Sequence, residues 1–95
     1  MARTRTVTIR NKAGIHARAA TEIVHCAQHS KSEIQLSVNG RCVPADSILQ
    51  LLAAGLSCGK VVVVKADGDD ADAALEKIAY VLGRAENGDA FRQRG

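Results

Sequence analysis

The spacing of apolar residues changes along the chain and predicts strands and helices in alternation. Residues 4–10 are rich in β-branched side chains, which predicts a first strand. From residue 17 the apolar positions recur three, four and seven residues apart, which is the spacing of one helix face. This pattern predicts a first helix that ends near residues 30–32. Its apolar face comprises Ala20, Ile23, Val24 and Ala27.

The next segment predicts a hairpin. Residues 34–38 alternate apolar and polar, as in a half-buried strand. Asn39-Gly40 follows directly, and this dipeptide favours the positive backbone angles of a type I′ turn. A second strand is therefore expected over residues 41–43, and Pro44, which has no amide hydrogen, is expected to end it.

A short helix is predicted after the hairpin. Ser47 is followed by Gln50 three residues later, which matches the capping box that starts many helices. The helix is expected to continue to about Ala53, and Gly55 suits the left-handed conformation that often ends a helix.

A fourth strand and a third helix complete the predicted elements. Residues 61–64 are four consecutive valines, which predicts a central strand with one face on the core. Residues 67–70 predict a turn whose acidic side chains suit a helix N-terminus. The stripe of the last helix comprises Ala71, Ala74, Leu75, Ile78 and Leu82. This order favours an α+β fold in which a small, mostly antiparallel sheet carries all helices on one face.

Length and composition narrow the possible functions. The chain has 95 residues, which is one small domain, and its charge of +3 is mild and dispersed. Aromatic residues make up only 2%, so the base-stacking surfaces of many nucleic-acid binders are missing. No strictly apolar run is longer than the four valines, far below the ~20 residues of a membrane span. The first six residues do not lead into the apolar region of a secretory signal.

Cysteine and histidine spacing gives little support for a metal site. The three cysteines, Cys26, Cys42 and Cys58, have no Cys-x-x-Cys spacing, which disfavours a disulfide framework and a zinc site. We interpret them as reduced, small, hydrophobic side chains in a cytoplasmic protein. His25 and His29 have a spacing that can bind a metal, but no third ligand is evident, which favours a solvated helix face.

The candidate functional residues lie between the first predicted strand and the first predicted helix. His16 is predicted at the helix start, where unpaired amide groups and the helix dipole stabilise an anion. The same dipole favours the neutral, nucleophilic form of an imidazole. Gly14 permits a tight backbone shape that exposes the ring, and Arg18 can bind phosphoryl oxygens. These features suit a histidine that accepts and then releases phosphate, although isolated histidines at helix starts are more often surface residues.

Residues 11–20 read Asn-Lys-Ala-Gly-Ile-His-Ala-Arg-Ala-Ala. This run resembles the active-site motif of the HPr family, the histidine-containing phosphocarriers of the bacterial phosphoenolpyruvate-dependent phosphotransferase system. The resemblance continues through Asn39-Gly40, residues 47–49 and Gly59 to the last helix. It implies that family's open-faced β-sandwich, with four strands and three helices in the order βαββαβα. We expect one domain over residues 1–86 and a loose tail over residues 87–95.

The resemblance also implies a role. His16 would accept phosphate on Nδ1 from enzyme I, the phosphoenolpyruvate-protein phosphotransferase, and pass it to an EIIA domain of a sugar-uptake or regulatory, nitrogen-type branch. Arg18 would neutralise the phosphoryl group. We therefore expect a cytoplasmic, monomeric carrier that needs no cofactor and is not itself an enzyme, with no membrane insertion and no nucleic-acid partner.

Three further features follow from the resemblance. Ser47 matches the position that an HPr kinase modifies in some bacteria, although the capping box already accounts for a serine there and Asp46 would repel a phosphate. The family's apolar docking patch maps to Ile48, Leu49 and Leu52. Ala19 stands where the commonest motif has proline, which removes some rigidity near His16.

Two alternative functions stay open at this stage. The chain could be an HPr-like regulatory protein that binds a partner through the patch at Ile48 and Leu49 without carrying phosphate. It could also be a small basic nucleic-acid binder. The presence of both His16 and Arg18 argues against the first alternative, and the low aromatic content argues against the second.

Overall fold

In the computed structural model, which describes residues 2–84, four strands form one sheet and three helices cover one of its faces. The elements are β1 (Ala2–Thr8), α1 (Ala17–His29), β2 (Glu33–Val38), β3 (Arg41–Pro44), α2 (Ile48–Ala53), β4 (Val61–Asp67) and α3 (Ala71–Gly83). The strand order is β1-β4-β2-β3, and all neighbouring strands are antiparallel. The predicted α+β open-faced sandwich is confirmed. The predicted tail, residues 87–95, lies outside the described residues.

Strand β4 lies inside the sheet and explains the run of valines. Val62, Val64 and Ala66 are buried, whereas Val61 and Val63 are exposed on the open face. Successive side chains of a strand point to opposite faces, so only alternate valines reach the core. The strand extends to Asp67, three residues beyond the predicted run, because its last residues pair with both β1 and β2.

Strand β1 begins and ends two residues earlier than predicted. Its ladder with β4 ends at the pair Thr8 and Val61, because β4 begins there. Ile9 follows the strand, is 1% exposed and donates its amide hydrogen to the Lys60 carbonyl at 2.9 Å. The chain therefore leaves the sheet at Ile9 and enters the loop that leads to α1.

The hairpin is formed as predicted. Asn39 has φ 53° and Gly40 has φ 78°, the two positive angles that a type I′ turn requires. Pro44 is the last residue of β3 rather than the residue after it. Since β3 is an edge strand that pairs only with β2, the sheet accommodates a residue without an amide hydrogen there.

The helices bury the faces that the spacing predicted. Ala20 and Ile23 of α1 are buried, and Val24 and Ala27 are partly buried against the core. All five predicted stripe residues of α3 are buried, and Val81 joins them. The core is therefore aliphatic, as expected from a chain with few aromatic residues.

Asp70 joins the start of α3 to the end of α1. Its carboxylate accepts hydrogen bonds from the Ser30 hydroxyl (2.9 Å), the Lys31 amide (2.9 Å) and the Ser32 hydroxyl (2.6 Å). These bonds, chiefly that from Ser32, lower the pKa of Asp70 to about 2. Gly68 permits the close approach, because an added Cβ would lie 2.6 Å from the Ser32 Cα. Asp70 thus holds two helices together instead of capping its own helix through its side chain.

Candidate functional site

His16 is the N-cap residue of α1, and its side chain is exposed. Its backbone is extended (φ −100°, ψ −177°), and its carbonyl accepts a hydrogen bond from the Ala20 amide at 2.9 Å. The amides of Ala17 and Ala19 precede that first bond, so helix geometry gives them no partner within the helix. The His16 ring makes no capping bond to the helix. An exposed imidazole therefore stands beside amide groups that can bind an anion.

The loop before His16 is built on Asn11, which is only 5% exposed. Its side-chain Oδ1 accepts a hydrogen bond from the Ala13 amide at 3.0 Å, and its carbonyl accepts one from the Gly14 amide at 2.8 Å. This local turn is typical of asparagine. Sequence reasoning missed the role of Asn11; asparagine at the first position of Asn-Lys-Ala-Gly was the available signal.

Gly14 has φ +76°, which confirms the prediction that this position needs glycine. An added Cβ would lie 2.9 Å from the Leu56 carbonyl oxygen and 3.1 Å from the Ser57 Cα. The Ile15 amide donates a hydrogen bond to the same Leu56 carbonyl at 2.8 Å. The loop after α2 therefore supports the loop that carries His16, and no local pattern in the sequence indicated this contact.

Arg18 lies in the first turn of α1, two residues after His16, and is exposed. The positive end of the helix dipole disfavours a cation at this position. The helix dipole therefore does not account for an arginine at this position. The neighbouring Ala19, which replaces the common proline, is 2% exposed and packs into the core.

Ser47 is the N-cap residue of helix α2, as the capping pattern predicted. The Gln50 amide donates to the Ser47 hydroxyl at 3.4 Å, which confirms the N-cap. Asp46, the preceding residue, is exposed. Ser47 is partly exposed, so the hydroxyl that caps α2 can also be reached from the surface.

The apolar residues of α2 divide between surface and core. Leu49 is 77% exposed and Leu52 is 44% exposed, so the predicted apolar surface is present. Ile48 is partly buried and packs against the core, and Leu51 is 1% exposed. The exposed part of the predicted docking patch therefore centres on Leu49 and Leu52, with Ile48 at its base.

His25 and His29 form a pair on the surface of α1. Their ring centroids are 4.1 Å apart, and His29 Nδ1 is 2.9 Å from the His25 carbonyl oxygen. Within residues 2–84, no three His, Cys, Asp or Glu side chains are grouped so that they could hold a metal ion.

None of the three cysteines in the described region is in a disulfide. Cys26 is partly buried, and burial raises the pKa of its thiol, which suits a small apolar packing residue. Cys42 and Cys58 are exposed. The prediction that the cysteines pack as small hydrophobic side chains therefore fits Cys26 but not the other two. Among the described helices, none has both the length and the apolar character needed to cross a membrane.

The fold and the site together define a class: a small open-faced α+β sandwich that presents an exposed histidine at the start of its first helix. A family model described as "PTS HPr component phosphorylation site" matches residues 3–83. The chain belongs to this family, the HPr phosphocarriers of the phosphotransferase system, which carry phosphate between partner proteins.

Individual relatives agree with this assignment. The chain is 42% identical over 78 residues to phosphocarrier protein NPr of Shewanella violacea, covering 82% of this chain and 86% of that protein. It is 34% identical over 78 residues to phosphocarrier protein HPr of Cupriavidus necator, covering 82% and 88%. The crystal structure of HPr-C-His from Thermoanaerobacter tengcongensis matches with a TM-score of 0.78 at 34% identity, covering 84% of this chain and 90% of that chain.

Proposed function

We propose that this protein accepts phosphate on Nδ1 of His16 from enzyme I and passes it to an EIIA domain, in a sugar-uptake or a regulatory, nitrogen-type branch. The observation that carries the proposal is the exposed His16 ring at the N-cap of α1, beside the amides of Ala17 and Ala19. We place the carrier in the cytoplasm as a monomer.

Each transfer exchanges one bond to phosphorus for another. The Nδ1 lone pair attacks the phosphorus atom while the bond to the donor breaks, and the EIIA acceptor later attacks the same phosphorus while the bond to Nδ1 breaks. Such transfers need in-line positioning and charge compensation more than covalent machinery. In this proposal the helix amides and the Arg18 guanidinium compensate the phosphoryl charge.

The partners would dock on the surface next to His16. Leu49 and Leu52 offer exposed apolar area, and Ile48 supports them from the partly buried side of α2. Leu56, just after α2, accepts a hydrogen bond from the Ile15 amide in the loop that carries His16, so the end of α2 lies next to that loop. The same surface would serve enzyme I and EIIA in turn.

Ser47 is the candidate for regulatory phosphorylation by an HPr kinase. A phosphate at an N-cap is stabilised by the helix dipole. The exposed Asp46 next to it opposes that charge, and the capping bond to the Gln50 amide already accounts for a serine at this position. Ser47 modification is therefore a secondary part of the proposal.

The direct test is incubation of the full chain with phosphoenolpyruvate and enzyme I, followed by mass measurement. We expect an acid-labile gain of one phosphate that is absent from His16→Ala. His25→Ala and His29→Ala are matched controls, because these two histidines are exposed on the same helix, and both variants should take the label. Absence of label on the native chain, while the same enzyme I phosphorylates another carrier, would refute phosphate carriage.

The alternative function is regulatory binding through the patch at Ile48 and Leu49 without carriage. The exposure of Leu49 fits docking under either function. Arg18 favours the carrier, because a protein that only binds a partner has no need of a cation beside His16. The alternative predicts partner binding by a chain that is never phosphorylated on histidine.

A further inference from the structure

Two exposed histidines in the second half of α1 lie against each other. His25 and His29 are four residues apart, and side chains at this spacing are neighbours on one face of a helix. Their ring centroids are 4.1 Å apart, and the ring planes are tilted by 32°. The helix itself therefore brings two imidazole rings together at the surface.

A hydrogen bond decides which nitrogen of His29 is available. Nδ1 of His29 is 2.9 Å from the carbonyl oxygen of His25. A carbonyl oxygen can only accept, so Nδ1 carries the proton of this bond and, in the neutral ring, Nε2 has the free lone pair. Histidines that bind metal ions commonly donate their second nitrogen in this way, which fixes the tautomer and the direction of the ring.

The neighbouring ionisable side chains are engaged elsewhere. Cys26 packs against the core, and Glu22 is paired with Arg84 at 2.7 Å. Asp70, which reaches the end of α1, accepts hydrogen bonds from two serines and one amide. Within residues 2–84, the pair of histidines therefore offers two protein ligands, and water can occupy the other coordination positions of a metal ion.

The end of α1 favours a positive charge. His29 is the last residue of the helix, and the carbonyl end of a helix carries a partial negative charge. The charges of Asp70 and Lys77 both act on Cys26, between the two histidines, and they have opposite signs. Since these side-chain charges oppose each other, the helix dipole remains as a contribution that favours a cation.

We propose that His25 and His29 form a binding site for one divalent transition-metal ion, to which each histidine contributes one ring nitrogen. Neutral imidazole suits Zn²⁺, Ni²⁺ and Cu²⁺, whereas Mg²⁺ and Ca²⁺ prefer oxygen ligands. The two histidines follow His16 by nine and thirteen residues, about 14 and 20 Å along the helix axis, so a bound ion leaves His16 accessible. The site does not depend on the proposed phosphocarrier function.

The first measurement is calorimetric titration of the full chain with Ni²⁺. We expect one ion per chain with a dissociation constant below about 1 mM, and no binding of Mg²⁺ in the same range. His25→Gln and His29→Gln should each weaken Ni²⁺ binding at least about tenfold, because loss of a group that only orients a ligand already costs about 10–100-fold. A weaker native affinity, or a variant that stays within twofold of it, would overturn the proposal.

Two control variants remove the other exposed nitrogen and sulfur ligands. His16→Gln removes the histidine at the N-cap of the same helix, and Cys42→Ser/Cys58→Ser removes the two exposed thiols. Both should keep the Ni²⁺ affinity within twofold of the native value. A tenfold loss in either control would show that the ion is bound elsewhere, and the proposal would be wrong.

The second measurement locates the ion. Ni²⁺ bound to nitrogen and water ligands is paramagnetic, so in proton–nitrogen correlation spectra we expect the signals of residues near His25 and His29 to broaden first. Signals around His16 should stay sharp at one equivalent, and broadening centred there would contradict the proposal. The two functions fail separately: a native chain that is phosphorylated but binds no Ni²⁺ refutes only the metal site, whereas one that binds Ni²⁺ but takes no phosphate refutes only the carrier.

Discussion

The carbonyl oxygen of Leu56 lies where a side chain on Gly14 would point. An added Cβ on Gly14 would be 2.9 Å from that oxygen, which also accepts the Ile15 amide hydrogen at 2.8 Å. Residue 14 thus carries two constraints, a positive φ and a backbone contact, and both act two residues before His16. The shape of this loop couples the site to the segment that follows α2.

Substitution of Gly14 by alanine tests this coupling. A positive φ costs an alanine about 1–2 kcal/mol, and displacement of the Leu56 carbonyl adds to this, so we expect a loss of about 2–4 kcal/mol in the free energy of unfolding. Urea unfolding measures it. Phosphorylation of His16 should slow as well, since the loop that positions it must shift.

Gly40→Ala is the matched control for Gly14→Ala. Gly40 has a similar φ of +78°, but no atom lies within 4 Å of an added Cβ. We expect only the conformational cost of about 1–2 kcal/mol and native rates of phosphorylation. Equal losses of stability and of rate in the two variants would mean that the contact with Leu56 has no role.

Removal of the Arg18 charge should affect function without affecting the fold. Arg18→Gln removes an exposed cation from the positive end of a helix, so we expect a change in unfolding free energy within about 0.5 kcal/mol. Loss of a charged hydrogen bond of about 1.5–3 kcal/mol in the transition state should slow transfer roughly ten- to a hundredfold. Arg18→Lys should be intermediate, since it keeps the charge but loses the planar fork. A collapsed thermal transition in Arg18→Gln would instead assign Arg18 a structural role.

Helix α2 offers a comparison of two leucines two residues apart. Leu49 is 77% exposed and Leu51 is 1% exposed. Leu51→Ala should lower the unfolding free energy by about 2–5 kcal/mol, because it leaves a cavity in the core. Leu49→Ala should change it by less than about 0.5 kcal/mol but raise the KM for transfer from enzyme I, because docking area is lost. A normal KM for Leu49→Ala would remove this residue from the docking surface.

Acid should weaken the junction between α1 and α3. The hydrogen bonds from Ser32 and the Lys31 amide lower the pKa of Asp70 to about 2, below its ordinary value of 3.8. A lowered pKa means that the ionised group stabilises the fold above pH 3.8 and that this stability is lost as the pH falls towards 2. We expect Asp70→Asn to lower the urea midpoint at pH 7, and the difference from the native chain to shrink between pH 4 and pH 2.

Asp69→Asn serves as the control for Asp70→Asn, because Asp69 is the adjacent, exposed acid of the same turn. This variant should keep the native urea midpoint throughout the same pH range. A difference between Asp70→Asn and the native chain that persists unchanged at pH 2 would show that the Asp70 charge does not stabilise the junction.

Local patterns predicted the elements because each pattern reports a property of neighbouring residues. The Asn39-Gly40 turn, the Ser47 cap and the stripes of α1 and α3 all depend on residues within about one or two helical turns. The ends of strands were predicted less accurately, because pairing with a distant strand determines where a strand ends. Strand β1 ends at Thr8 because β4 begins at Val61, and no feature near Thr8 carries that information.

The sequence by itself determined the order of elements, the buried faces and the position of His16 at a helix start, because periodicity, turn residues and caps act over short distances. Only the tertiary structure decided which distant segments are held together. Glu22 and Arg84 are 62 positions apart, and Ser30 and Asp70 are 40 apart. Such contacts depend on how the packed helices bring separate segments together, and hydrogen-bond donors and acceptors are too common along a chain for their partners to be identified without the fold.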